Sequence, residues 1–420
     1  MKPLSVIAPA FLLLSFSLVG CKQSDVVVQP DSPYQQKIFL TEKAKAIVYA
    51  NNTFGFQLFS KVNEATADLE NIVLSPLSAS MALGMTMNGA AGETQTAMES
   101  TLGFKDMSSE DINESYKNLI GALTTIDPKV TLEIPNSIWY SHVFSVLQEF
   151  IDVNKDYFNA EVHPLDFLNP ASVDVVNNWV AESTHDKIKN ILDQIDPEAR
   201  MFLINAVYFK GSWVYEFDEQ YTEPETFYLA DGTTKQVDMM KQEATLSFFA
   251  NELFEAVDLS YGGGNFSMVV MLPKDTHTPD DIIQQMNDEN WSAWINNFSE
   301  ANIQLSLPKF KLEYGKRLND ELIGMGMAPA FDPNAADFSK INPDEPLFIG
   351  FVKQKTFIDV NEEGTEAAAV TIVGMFTTST QDPPLPHFFT VNKPYIFAIK
   401  ERDTGAILFL GKVMEPKYEE

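Results

Sequence analysis

Residues able to do nucleophilic or metal chemistry are few in this chain. It has one cysteine, Cys21, and five histidines that no HExxH spacing gathers, and no GxSxG motif sets up a nucleophile elbow. A single cysteine excludes an intramolecular disulfide framework and any zinc site built on several thiolates. No enzymatic activity, cofactor or metal is therefore expected, and a hydrolase is the weakest of three readings because no nucleophile–base constellation is visible. With 29 basic against 59 acidic residues the formal charge is −30. Nucleic acid is thereby excluded as a partner, since neutralising phosphates takes clustered Lys and Arg. A hydrophobic content of 45% over 420 residues is ample for a sizeable core.

The most informative stretch is Phe357–Phe389, FIDVNEEGTEAAAVTIVGMFTTSTQDPPLPHFF. No Lys or Arg occurs between Gly364 and Thr390, and Thr and Ala dominate the first half. Written as a strand, Thr365, Ala367, Ala369, Thr371, Val373 and Met375 fall on one face and Glu366 on the other. Such a face can be buried without stranding a charge, and Gly364 gives the backbone freedom to swivel where the strip begins. Fifteen residues, Gly364–Thr378, would span about 50 Å when extended. The pattern fits a loop that can become a strand.

The elements around it must be able to receive a strand. Ser75-Pro76 opens a helix, with Ser as cap and Pro at the first helical position. That helix is small or apolar all round (Leu77, Ala79, Met81, Ala82, Leu83, Met85), so burial is expected. A helical pattern also runs through Asp174–Ile191. Short β-rich runs follow at Phe202–Phe209, Phe266–Leu272, Ile303–Leu307, Tyr395–Ile399 and Ile407–Leu410. Phe266–Leu272 has six apolar residues in seven, which predicts a strand covered on both faces. The fold class is α+β, with helices packed on large, mainly antiparallel sheets. No linker, repeat or low-complexity stretch interrupts residues 43–420, which read as one domain.

Gly364-Thr365-Glu366-Ala367-Ala368-Ala369-Val370-Thr371 resembles the proximal hinge of the serpins, a family of protease inhibitors. Asn71–Ser78 (NIVLSPLS), Asn205–Trp213 (NAVYFKGSW) and Leu408–Val413 (LFLGKV) resemble other serpin signatures. The resemblance implies the serpin fold with an exposed reactive-centre loop. It implies a suicide-substrate mechanism too: a serine or cysteine protease attacks the loop, and the cleaved loop inserts into the central sheet and traps the acyl-enzyme. Family spacing places the reactive bond fourteen residues after Gly364, at Thr378-Ser379, with Met375 or Phe376 as alternatives in another register. A loop without basic residues disfavours trypsin-like targets, whose pocket acid needs a cation, and favours elastase-, subtilisin- or chymotrypsin-like ones. The alternative is a non-inhibitory serpin acting as a carrier or scaffold.

By the same resemblance Ser75, Ser78 and Asn205 form the shutter beneath the sheet. Gln354 stands where family members usually carry a His, ten residues before the hinge glycine. Trp213, Lys309 and Glu362 match the breach where insertion begins. No heparin site is expected, because Lys105–Ile126 offers only Lys105 and Lys117 as cations. The partner implied is a target protease, and the protein is expected to be a monomer.

Residues 1–20 read as an export signal, a basic start followed by the apolar run Leu4–Gly20. Cys21, directly after Leu18-Val19-Gly20, looks like the acceptor of a bacterial lipobox. Its diacylation would give a stable membrane anchor where one chain gives only marginal binding. Residues 21–42 are expected to be a polar tether, and the bacterial cell envelope, outside the cytoplasm, the location.

Overall fold

The computed structural model describes residues 27–32, 35–67, 69–365 and 386–418. The first two segments, read above as part of a tether, pair instead as an antiparallel ladder of Val27–Ser32 with Gln35–Phe39. Ile38 is buried and its N–H donates to Asp403 Oδ2 at 3.1 Å, so the ordered chain starts well before residue 43. Helix Glu42–Glu64 follows, opened by the Thr41 hydroxyl accepting from the Ala44 amide.

Helix Pro76–Met87 is buried almost all round, as its composition predicts, and Ser75 Oγ accepts from the Ser78 amide at its cap. The helix expected over Asp174–Ile191 is shorter, Ser172–Ser183. Thr184 Oγ1 bonds back to Val180 O and accepts from Ile188 N, and His185 and Asp186 take positive φ, which stops the helix. Ile188 nevertheless packs with Val176, Val180 and Trp139, so its apolar spacing reflects burial of a loop rather than a helical face.

Among the described residues the strands form sheets of nine, five, three and two. In the largest, Phe266–Pro273 lies between Phe254–Tyr261 and Tyr395–Glu401 and is covered on both faces, as predicted. Pairing is antiparallel except at Ser299–Pro308 with His387–Thr390 and at Asn136–Ser141 with Glu161–Leu165. The five-stranded sheet runs in the order Phe310–Arg317, Lys353–Val360, Gly364–Thr365, Tyr208–Ser212, Val130–Glu133.

The single strand expected at Phe202–Phe209 is broken into Met201–Asn205 and Tyr208–Ser212. Opposite the break is Pro135, which has no N–H to give the ladder and only accepts, from the Ala206 amide at 3.1 Å. The three-stranded sheet is thus the continuation of the five-stranded one across this interruption, since both of its partners cross it together.

Candidate functional site: hinge, breach and shutter

Gly364 and Thr365 form a two-residue strand. Gly364 pairs with Ser212, and Thr365 pairs with Gly211 on one side and Val360 on the other. Among the described residues, Lys353–Val360 and Tyr208–Ser212 are not paired with each other; the start of the loop stands between them. A Cβ on Gly364 would sit 2.1 Å from Gly211 O and 2.7 Å from Ser212 Cα, so only glycine fits this approach. Thr365 is 3% exposed, and its Oγ1 lies 2.7 Å from the Tyr261 hydroxyl. Burial pushes the Tyr261 phenol far above its usual range, so it stays a neutral hydroxyl there. Thr365 also lines a cleft with Val207, Phe209, Ile188, Ile358 and Asp359, between the two strands it separates.

Asn361 builds the turn that delivers Gly364. Its Oδ1 accepts from the Glu363 and Gly364 amides, and its N–H donates to Gly364 O. Trp213 closes the turn from the other strand: its N–H donates to Glu363 O at 2.9 Å and its indole N–H to Asn361 O at 3.0 Å. The indole stacks on Tyr261, with centroids 4.3 Å apart and planes at 16°. Tyr261 and Asn361 were not singled out from the sequence. Asn three residues before Gly is a turn signal that could have marked the second, whereas no local pattern marks the first.

Lys309 Nζ lies 3.0 Å from Glu362 Oε2, and Thr222 Oγ1 donates to Glu362 Oε1 at 2.8 Å. The Glu362 side chain is only 7% exposed. Burial by itself raises the Glu362 carboxyl, but hydrogen bonds from Thr222 and Lys309 outweigh it and hold the group below its ordinary value. The pair's contribution is therefore present above the ordinary carboxyl value near 4.5 and is lost as pH falls through the depressed folded one. Glu362→Gln should lower stability by about 1–2 kcal/mol at neutral pH. That deficit should shrink below pH 4.5, as read by denaturant melts over pH 3–7; a deficit constant with pH would exclude the charge as its source.

At the shutter, Gln354 is buried and makes two bonds to Ser75: Oε1 accepts from Ser75 N at 3.1 Å and Nε2 donates to Ser75 O at 2.8 Å. Thr356 Oγ1 donates to Val73 O at 2.6 Å. From the other strand, Ser78 Oγ donates to Asn205 O at 3.4 Å, and Asn205 Nδ2 donates to Asn136 Oδ1. Lys353–Val360, which flanks the hinge, and Met201–Asn205, which precedes the other flanking strand Tyr208–Ser212, are thus each tied to the start of helix Pro76–Met87. Gln354 keeps one donor and one acceptor at every pH, which a protonated imidazole does not. Gln354→His should behave like wild type at pH 8, where neutral His offers the same pair. Protonation removes the acceptor of the Ser75 amide, so the folded-state pKa falls below about 6.5 and stability is lost as pH drops through that range. A Tm difference from wild type that widens by several degrees between pH 7.5 and 5.5 is expected, and parallel profiles would disprove it.

Glu366, Ala367, Ala368, Ala369, Val370 and Thr371 of the hinge, Met375, Phe376, Thr378 and Ser379 of the reactive bond, and Cys21 lie outside the described residues.

Residues 49–416 match the family model Serpin (serine protease inhibitor). An uncharacterized serpin-like protein of Methanosarcina acetivorans is 33% identical over 378 residues, covering 89% of this chain and 87% of its own. Among solved structures, the thermophilic serpin tengpin in the native state is 34% identical with a TM-score of 0.80, covering 90% of this chain and 95% of that one. Human thyroxine-binding globulin is 28% identical with a TM-score of 0.82, covering 90% and 100%. On these matches the chain belongs to the serpin family, whose members are generally protease inhibitors and usually not catalytic.

Proposed function

We propose that this serpin is a suicide-substrate inhibitor of serine or cysteine endopeptidases. The observation that carries the reading is Gly364-Thr365, already paired between Lys353–Val360 and Tyr208–Ser212 and followed in sequence by a strip whose same-face residues, Ala367, Ala369 and Thr371, are small and uncharged. Pairing that has begun needs only release of the loop's far end to continue. Protease attack at Thr378-Ser379 forms an acyl-enzyme and frees that end. The strip then adds as a strand, as the general mode of strand addition allows, and carries the protease with it. Intact protein is in this reading a kinetic trap. Elastase-, subtilisin- and chymotrypsin-like enzymes are the targets, the last through Met375 or Phe376.

The carrier alternative draws on thyroxine-binding globulin, whose structure is that of a thyroxine complex. A hinge without bulky residues or Pro, whose one charge, Glu366, falls on the face opposite Thr365 and Ala367, disfavours it here. In the cell the protein acts as a monomer in the bacterial envelope, held through lipidated Cys21. Incubation with elastase, subtilisin, chymotrypsin and trypsin tests the proposal. Denaturant-stable adducts with at least one of the first three are expected, with mass spectrometry placing the cut after Thr378. Cleaved fragments without any adduct would overturn inhibition in favour of a carrier.

A further inference from the structure

Past Pro416, where the family match stops, the chain runs along the breach. The Lys311 N–H donates to Lys417 O at 2.6 Å, which brings the Tyr418 ring over two ammonium groups. Its centroid is 4.4 Å from Lys309 Nζ and 5.4 Å from Lys311 Nζ. Those ammonium groups have set positions of their own. Lys309 holds Glu362 and Lys311 reaches Asp359 at 3.5 Å, on either side of Asn361, whose Oδ1 fixes the Glu363 and Gly364 amides. One aromatic side chain therefore lies over the ammonium groups of two ion pairs that bracket the residue shaping the hinge turn.

We propose that Tyr418 is a positioning residue for loop insertion, acting through Lys309 and its partner Glu362 to keep the Asn361–Gly364 turn formed before cleavage. Insertion competes with hydrolysis of the acyl-enzyme, and a turn already built spares the loop the entropy of ordering its first residues. Without Tyr418 the turn samples more conformations, insertion slows, and more inhibitor is released cleaved. This claim rests on the inhibitory reading above.

Tyr418→Ala and a chain stopped after Pro416 remove the contact, and Tyr418→Phe keeps the ring over the ammonium. In intact protein, amide exchange in a peptide covering residues 361–365 should quicken by roughly tenfold in the first two variants and by less in the third. The fraction of cleaved inhibitor trapped with the protease should fall in the same order. Wild-type exchange in this peptide overturns the proposal, and so does a lowered Tm with unchanged trapping, which would make Tyr418 merely structural. If wild-type protein forms no adduct, the inhibitory reading fails instead, and the exchange arm still decides whether Tyr418 orders the turn.

Discussion

Thr365→Arg should convert the inhibitor into a substrate. Thr365 is 3% exposed between two strands and hydrogen-bonded to the Tyr261 hydroxyl, so a longer side chain at this position breaks that bond and has to displace the packing around it. A guanidinium cannot shed its charge, and burying it without a partner costs several kcal/mol. That cost drives residue 365 out from between the strands in the intact protein, so insertion has to bury it again; if only about 1.4 kcal/mol of the cost is felt in the transition state, insertion slows about tenfold. Hydrolysis of the acyl-enzyme is untouched by the change, so the fraction trapped should drop by about the same factor. The same variant separates insertion from cleavage in the protein alone. Nicking the wild-type loop should raise Tm; for a domain of this size a kcal/mol moves Tm by about 2 °C or less, so a rise above about 10 °C reports a large gain. Nicked Thr365→Arg should show little of that rise. Equal trapping by the variant and wild type would contradict insertion at this position.

What the sequence makes legible here is what neighbours along the chain dictate. Ser75-Pro76 marks a capped helix because cap and first turn are three residues apart, and Phe266–Leu272 marks a central strand because its apolar run leaves no polar face. The hinge is legible for the same reason: alternation of small uncharged residues after Gly364 is a local property. Contacts across the fold are not. Tyr261 meets Thr365 over a separation of 104 positions, and nothing around Tyr261 announces it. The break at Ala206-Val207 is caused by Pro135 on a neighbouring strand, so the run Phe202–Phe209 reads as continuous until its partner is known. The Glu362–Lys309 pair is matched through the family, but its burial depends on Thr222 and Tyr418 arriving from two other parts of the chain.

The second large effect concerns Trp213. Its side chain is 3% exposed, and it joins three parts of the breach: the hinge turn through Asn361 O, the Phe254–Tyr261 strand by stacking, and Phe217 edge-on at 6.4 Å. Trp213→Ala leaves a cavity among these groups and should cost about 3–5 kcal/mol. Trp213→Phe keeps an aromatic body against Tyr261 but gives up the indole N–H, leaving Asn361 O without that donor, at about 1–2 kcal/mol. The two losses differ in what they do to the hinge. Tyr261 is held between Trp213 and Phe209, whose ring meets it edge-on at 5.1 Å, and this packing keeps its hydroxyl within reach of Thr365. Removing the indole body therefore weakens the Thr365 bond as well, while Phe preserves it. A double-mutant cycle between Trp213→Ala and Thr365→Ala should return a coupling of about 0.5–1.5 kcal/mol, although the two side chains are linked only through Tyr261. The cycle with Trp213→Phe should return a value near zero. If both cycles are additive within about 0.3 kcal/mol, Tyr261 is positioned by its own strand and not by the stack.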